Sequence, residues 1–112
     1  MASVDDLWLV DFGDPFPGEP ARRRPAVVVG PDEVFGADLP FTIVCPLTTT
    51  MRGISFHVEV SADSSTGLDE VSYVQTEALR SISRQRLVHR LGRVDPVTSA
   101  HVRRILQVLL GH

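Results

Sequence analysis

Hydrophobic residues in the first half of the chain fall into short runs with the length of β-strands. Residues 7 to 12 are rich in β-forming side chains, and the Gly/Pro cluster at residues 13 to 20 predicts a loop after them. Residues 25 to 29 and 41 to 45 are continuous apolar runs, the pattern of strands buried on both faces. The chain therefore begins with three predicted strands and one long loop.

Residues 55 to 60 alternate between apolar and polar side chains and predict a half-exposed strand. Apolar side chains at positions 56, 58 and 60 lie on one side of it, and His57 and Glu59 lie on the polar side. Further predicted elements are short strands at residues 71 to 75 and 88 to 94 and a serine-capped helical turn at residues 83 to 86.

The end of the chain changes to a helical period. Asp95 is a suitable N-cap, Pro96 suits the first helical position, and Gly111 ends the run. Many short strands followed by one helix predict a mainly β fold, either a small antiparallel barrel or a strongly twisted sheet, with a C-terminal α-helix packed against it. We expect a single domain over residues 1 to 112. The predicted apolar stripe of the helix consists of Val102, Ile105, Leu106 and Leu109.

Composition and charge narrow the classes of partner. A chain of 112 residues, 43% of them hydrophobic, can form one core without disulfide or metal staples. Residues 1 to 70 hold 12 acidic residues and 4 arginines, residues 71 to 112 hold 2 acidic residues and 7 arginines, and lysine is absent. The formal net charge of −3 excludes a general basic coat for nucleic acid. It leaves open a local basic patch built from Arg22, Arg23 and Arg24 together with arginines of the second half.

The sequence predicts a cytoplasmic protein. Its longest stretch without charge, residues 39 to 51, is far shorter than the ~20 apolar residues that span a bilayer. Asp5 and Asp6 stand where a signal peptide would carry positive charge. The lone Cys45 lies in an apolar run without a basic neighbour, so we expect a buried structural thiol.

Two irregular segments hold the candidate chemistry, because functional side chains concentrate on loops held by a rigid scaffold. Arg22, Arg23 and Arg24 end the first loop, immediately before Pro25, and their planar guanidinium groups could bind a phosphate. Residues 46 to 54 carry three threonines beside an arginine. From composition alone, ordinary solvated loops are the favoured interpretation of both segments.

These pieces together resemble the MazF/PemK/Kid toxins of bacterial toxin–antitoxin systems, across nearly the whole chain. No single motif is specific, but the order of landmarks is. In the first half the landmarks are Trp8-Leu-Val-Asp-Phe, Gly18-Glu19, Arg-Arg-Pro-Ala-Val-Val-Val at 23 to 29, Val-Cys-Pro-Leu-Thr-Thr at 44 to 49 and Phe-His-Val-Glu-Val at 56 to 60. In the second half they are Gly67-Leu, Ser72, Glu77-Ala-Leu-Arg-Ser-Ile82, Arg86-Leu87 and Leu91-Gly-Arg-Val.

The resemblance implies a small SH3-like barrel of the MazF/CcdB/Kid type with a C-terminal helix, acting as a homodimer. It also implies a sequence-specific endoribonuclease, an mRNA interferase, that cleaves single-stranded RNA without a metal or other cofactor and is inhibited by a cognate MazE-like antitoxin. In such an enzyme the ribose 2′-hydroxyl attacks the adjacent phosphorus, so the protein supplies charge stabilisation and proton transfer.

Two catalytic residues are implied by position in the family pattern. Arg24 matches the catalytic arginine before the strand-opening proline and would stabilise the phosphorane charge. Donation of a proton to the 5′-oxygen would require an unusual arginine, since the pKa of arginine normally exceeds 12. Thr48 matches the catalytic threonine and would hydrogen-bond a phosphate oxygen.

Substrate-binding roles follow for a further group of residues. The chain departs from the family pattern in the first loop, where proline and extra charge replace glycines, and at Glu77-Ala78, where the family commonly has an acid followed by glutamine. We therefore expect altered cleavage specificity. The residues assigned to substrate binding are Phe16, which could stack a base, and Glu19, Arg22, Arg23, Thr49 and Glu77.

A pair of histidines that act as general base and general acid is another way to cleave RNA without a metal. Their placement speaks against it. His57 lies on the polar side of its strand, His101 lies away from the apolar stripe of the helix, and His112 is terminal, with His89 the fourth.

A metal site is also disfavoured. Asp11, Asp14 and Glu19 are close in sequence but lack accompanying Cys or His ligands at a typical spacing.

Two other functions stay open at this point. A gyrase poison of the CcdB kind shares the fold, but those proteins rely on a tryptophan near the C-terminus and this chain has its only tryptophan at Trp8. The other is a small barrel that binds RNA or protein without cleaving it. It would tolerate substitution of Arg24 or Thr48 alone.

Overall fold

The computed structural model describes residues 2–14, 16–17 and 22–112 as an antiparallel β structure with one C-terminal helix. Single 3₁₀ turns at Thr76–Ala78 and Arg84–Arg86 join the later strands. The main elements are β1 (Asp6–Asp11), β2 (Arg23–Val28), β3 (Phe41–Thr48), β4 (His57–Val60), β5 (Ser72–Gln75), β6 (Arg80–Ser83), β7 (Leu87–Arg93) and α1 (Pro96–Leu109).

The strands form one antiparallel sheet with β3 at its centre. The order is β4-β5-β3-β2-β1-β7, and β6 pairs with β3 outside this path. Strand β2 pairs with β3 along one edge, while β6 and β5 share the other edge, β6 opposite its first half and β5 opposite its end. Irregular register between β1 and β7 adds curvature, as β-bulges do. The result is an open, barrel-like sheet, which confirms the predicted mainly β fold class.

Apolar side chains of β2 and β3 enter two separate clusters on opposite faces of the sheet. Val27 and Cys45 pack in one cluster, and their neighbours Val28 and Val44 pack in the other. Successive residues of a strand point to opposite faces, so continuous apolar runs can serve both clusters. The prediction of two strands buried on both faces is confirmed.

The helix begins and ends where its sequence signals predict. The Asp95 carboxylate accepts a hydrogen bond from the Thr98 N–H at 2.7 Å, and Pro96 occupies the first helical position. Val102 is buried against the cluster that contains Val27, and Gly111 has the positive φ of +76° that ends many helices. None of the helices among the described residues has the length and apolar character needed to cross a membrane.

The buried thiol is also confirmed. Cys45 is fully buried, and burial raises the pKa of its thiol to about 12, with a further contribution from the negative charge of Glu77. A thiol with this pKa is almost entirely protonated at neutral pH and is therefore a poor nucleophile.

Three local expectations differ from the structure. Strand β3 continues through Pro46 to Thr48, so the candidate threonine ends a strand instead of lying inside a loop. Strand β6 lies where no strand was predicted; its residues gain their strand partners only from β3. The His57 side chain is 3% exposed, because Glu77 and the turn that carries it lie over the supposedly polar side of β4.

Candidate functional site

Strand pairing gathers polar side chains on one face of the sheet. The β2–β3 register pairs Ala26 with Pro46 and, continued by two residues, sets Arg24 opposite Thr48. Thr48 in turn pairs with Tyr73 of β5. Directly opposite residues of an antiparallel pair project to the same face of the sheet. The two residues that the family resemblance marks as catalytic, 24 positions apart in sequence, therefore lie side by side.

Residues of β3 and β5 accept hydrogen bonds from the Arg24 guanidinium. Its Nη1 donates to the Leu47 carbonyl oxygen at 3.5 Å and to Oε1 of Gln75 at 3.3 Å. Its Nε is buried and has no hydrogen-bond partner among the described residues. Partial burial lowers the pKa of Arg24 from its ordinary value, and the positive charge of Arg52 lowers it further. Both causes disfavour the charged form, so this guanidinium is more acidic than an exposed one.

Thr48 lies at the point where β3 ends and the following loop begins. Its Oγ1 accepts a hydrogen bond from the Thr50 N–H at 3.2 Å, a local turn that fixes the hydroxyl oxygen. Because that oxygen is the acceptor here, its own proton remains available for donation. Thr49, the next residue, is exposed.

A cleft adjoins this pair. It runs from the loop after β3, through Tyr73, to His57 and Glu59 of β4. The loop contributes Met51, Arg52, Gly53 and Ile54 to its lining. Apolar and charged groups are therefore mixed along a surface that includes Tyr73, the register partner of Thr48, as a nucleotide with a stacking base and an anionic phosphate would require.

Glu77 lies in the 3₁₀ turn that follows β5. Its two carboxylate oxygens are 2.9 and 3.1 Å from Nε2 of His57. The Glu77 side chain is 41% exposed, so part of the carboxylate still faces solvent. Gln75, two residues earlier, is the partner of His57 in the β4–β5 register and of Arg24 through its amide.

The other sequence-predicted residues are not all brought to this face. Arg22 pairs with Asp14 at 2.5 Å, and the Nε of Arg23 lies 3.7 Å from Asp11. Arg23 and Arg24 are consecutive in β2, so their side chains leave opposite faces of the strand. The arginine run is thus divided, with Arg24 turned into the site and the other two beside acids of β1 and the segment after it.

The first loop is only partly described. Phe16 has a ring that is 76% exposed. Glu19 lies outside the described residues, with the rest of residues 18 to 21.

Sequence reasoning missed Gln75, His57 and Tyr73. Gln75 ends a short strand, and no local pattern distinguishes it from a solvated glutamine. The one available signal was alternation along β4 and β5, which places His57, Tyr73 and Gln75 on the face opposite the apolar residues.

The alternatives of a histidine pair and a metal site have no assembled geometry within residues 2–14, 16–17 and 22–112. His89 and His101 are exposed on β7 and α1, while His57 lies on β4. No three His, Cys, Asp or Glu side chains in these ranges are grouped as metal ligands.

Comparison with known proteins identifies the family. The model for the PemK-like, MazF-like toxins of type II toxin–antitoxin systems matches residues 4–110. The endoribonuclease MazF9 of Mycobacterium tuberculosis is 33% identical over 116 aligned positions, covering 98% of this chain and 97% of the relative.

Solved structures agree in fold over the same length. The crystal structure of MazF from Deinococcus radiodurans has a TM-score of 0.83 at 27% identity and covers 98% of this chain and 96% of its own. The MazE–MazF crystal structure from the same organism has a TM-score of 0.76 at 28% identity, covering 97% and 94%. The ordered landmarks, the Arg24–Thr48 pairing and these matches lead to one conclusion: the chain belongs to the family of PemK-like, MazF-like toxins of type II toxin–antitoxin systems.

Proposed function

We propose that the protein is an endoribonuclease toxin that cleaves single-stranded RNA at sequence-specific sites without a metal ion. The observations that carry the proposal are the β2–β3 register, whose continuation sets Arg24 opposite Thr48, and the contacts of the guanidinium with Leu47 and Gln75. A partly buried cation beside a hydroxyl donor is what a phosphoryl centre that gains negative charge requires. Relatives named as endoribonucleases support the same reaction class.

In the reaction, the ribose 2′-hydroxyl loses its proton to water as its oxygen bonds to phosphorus, and the bond from phosphorus to the 5′-oxygen breaks. The products are a 2′,3′-cyclic phosphate and a 5′-hydroxyl. Arg24 stabilises the negative charge of the phosphorane, and the Thr48 hydroxyl donates to one of its non-bridging oxygens. The lowered pKa of Arg24 also suits it to protonate the departing 5′-oxygen.

Substrate binding extends from this centre. Glu77 offers hydrogen-bond acceptors two residues from Gln75, and Thr49 lies next to Thr48. Phe16 supplies an aromatic surface for base stacking, worth ~1–3 kcal/mol per base in known complexes. Arg22, Arg23 and Glu19 complete the set. Because Arg22 and Arg23 lie close to carboxylates, their contribution is electrostatic attraction of the RNA more than direct grip on the scissile phosphate.

We propose a cognate antitoxin and a second copy of the chain as the protein's partners. MazF of Deinococcus radiodurans was crystallised with MazE, and the structure of a mycobacterial endoribonuclease of 22% identity was solved in complex with its cognate antitoxin. These complexes support the antitoxin as a partner. The family resemblance is the ground for proposing further that the toxin acts in the cytoplasm as a homodimer whose RNA groove the antitoxin covers.

The test is cleavage of a fluorogenic single-stranded RNA in excess EDTA. Wild-type protein should cleave it, and Arg24→Ala or Thr48→Ala should lower kcat by about 10²- to 10³-fold, the cost of removing one preorganised donor. Thr98→Ala, in the first turn of α1, is the matched control for Thr48→Ala.

A second substrate separates the two roles of Arg24. If the 5′-oxygen is replaced by sulfur, the leaving group needs no proton, so a proton-donating Arg24 predicts that Arg24→Ala recovers most of its rate. Absence of cleavage by wild-type protein in EDTA, or full activity of Arg24→Ala on the normal RNA, would refute the proposal.

A gyrase poison of the CcdB kind shares the sheet architecture, so the fold alone does not separate the two functions. The family model and the Arg24–Thr48 pair favour RNA cleavage. The non-catalytic alternative predicts that Arg24→Ala and Thr48→Ala bind RNA and leave it intact, as wild-type protein would.

A further inference from the structure

The His57 imidazole directs its polar contacts to a single partner. The side chain is 3% exposed, and Nε2 lies 2.9 and 3.1 Å from the two oxygens of Glu77. An ionised carboxylate only accepts, so Nε2 carries the proton of this contact. The other nitrogen, Nδ1, is buried and has no hydrogen-bond partner among the described residues. Among the described residues, the side-chain hydrogen bonding of His57 is therefore confined to Glu77.

The backbone of the turn that carries Glu77 is fixed by other contacts. Thr76 is buried, and its hydroxyl donates to the Phe56 carbonyl oxygen at 2.5 Å. The Leu79 N–H closes the turn on the Thr76 carbonyl at 3.3 Å. The turn does not depend on the imidazole for its place. What the His57 contact adds is the orientation of the Glu77 carboxylate.

This orientation is obtained at a cost in folding free energy. A buried imidazole with one unpaired nitrogen is less favourable than an apolar side chain of similar volume, which would pack against Phe56 without desolvation of a polar group. A function that requires a fixed geometry of the exposed Glu77 carboxylate explains why a half-paired polar group is retained at this position.

The position of the Glu77 carboxylate indicates which chemical group of an RNA substrate it would bind. Glu77 belongs to the segment that carries Gln75, the partner of Arg24. In a site that binds phosphate through an arginine, a carboxylate repels the RNA backbone and accepts only from N–H or O–H donors. In single-stranded RNA, the donors that carry sequence information are the amino and ring N–H groups of the bases.

We propose that His57 is a positioning residue that fixes Glu77 as the acceptor for a nucleobase N–H beside the scissile phosphate. The proposal rests on the proposed RNA-cleaving function and adds to it a determinant of sequence specificity. In this role His57 acts through the Glu77 carboxylate. It acts by holding both carboxylate oxygens through one donor, which leaves their outward lone pairs for the base.

The experiment compares His57→Ala, His57→Gln and Glu77→Gln with wild-type protein in steady-state cleavage of an RNA of the preferred sequence. His101→Ala, at an exposed helix position, is the matched control. We expect His57→Ala to raise KM about tenfold and to leave kcat within about threefold of wild type, the size of one lost hydrogen bond to a charged group. His57→Gln places an amide N–H near the position of Nε2 and should restore KM.

Two further readouts separate positioning from a structural role. Glu77 is exposed, so Glu77→Gln should fold normally and reproduce the KM effect, and adding His57→Ala to it should cause little further loss. Cleavage-site sequencing on a randomised transcript pool should show relaxed preference at one nucleotide position, with the other positions unchanged. A structural role would lower the Tm and the active fraction while leaving KM and the preferred sequence as in wild type.

Binding to an RNA with a 2′-deoxy scissile nucleotide tests His57 even if no cleavage occurs. Failure of wild-type protein to cut RNA would overturn the proposed function, whereas equal affinities of wild type and His57→Ala for the uncleavable RNA would overturn the positioning role. A fall in kcat at unchanged KM, or no rescue by His57→Gln, would also overturn it.

Discussion

Replacement of Gln75 by methionine removes the oxygen that faces Nη1 of Arg24 at 3.3 Å and keeps a side chain of similar length. The guanidinium then retains the Leu47 carbonyl, at 3.5 Å, as its remaining hydrogen-bond acceptor among the described residues. Its Nε is already buried without a partner. We expect the Arg24 side chain to leave its present orientation and to form hydrogen bonds with water.

The magnitude follows from the geometry. A hydrogen bond to a charged group contributes ~1.5–3 kcal/mol, and a separation of 3.3 Å lies beyond the usual N–H···O range, so the lower figure applies. About 1.5 kcal/mol corresponds to a roughly tenfold loss in kcat/KM. Complete removal of the guanidinium should cost far more, about 10²- to 10³-fold.

The assay is single-turnover cleavage of a fluorogenic RNA by Gln75→Met, Arg24→Ala and the double variant. If Gln75 acts through Arg24, adding Gln75→Met to Arg24→Ala should have almost no further effect. Gln75→Glu should hold the guanidinium yet raise the pKa of Arg24 by a new negative charge, slowing proton donation. Wild-type kinetics in Gln75→Met, or full additivity with Arg24→Ala, would refute the reasoning.

Three other predictions concern the scaffold. Cys45 has a pKa of about 12 against 9.0 for an unburied thiol, so its thiolate fraction at pH 8 is about 10³-fold lower. It should therefore resist iodoacetamide at pH 8 and react after denaturation, as mass spectrometry would show. Rapid labelling of the folded protein would contradict its burial. Gly67→Ala should lower the free energy of unfolding by about 3 kcal/mol or more, because a Cβ would lie 2.0 Å from the Leu91 carbonyl oxygen. Gly111 also has a positive φ but has no neighbours within 4 Å of a Cβ, so Gly111→Ala should lower it by about 1 kcal/mol. Equal losses in urea unfolding would exclude the clash. Asp95→Ala should lower the Tm at pH 7 and have less effect at pH 2. Capping lowers the pKa of Asp95, so the stabilisation by its carboxylate is present above the unfolded-state pKa and is lost as the pH falls through the folded-state pKa. A pH-independent difference in Tm would contradict this linkage.

Local signals in the sequence were enough for most of the scaffold, with strand β6 as the exception. Asp95, Pro96 and Gly111 define the ends of α1 because capping depends on a few adjacent residues. The continuous apolar runs predicted β2 and β3 because burial on both faces leaves no polar alternation. The ordered landmarks also indicated the family and named Arg24 and Thr48.

Tertiary structure decided the surroundings of those two residues. Pairing between strands distant in sequence brings Gln75 to Arg24 and His57 beneath Glu77, and no window of neighbouring residues contains that register. The same pairing separates Arg24 from Arg22 and Arg23, which the sequence presents as one run. Sequence by itself determined which residues could carry the chemistry, since side-chain type and local period are local properties. Only the folded sheet decided which of them share a face, because that depends on how strands with no sequence adjacency align.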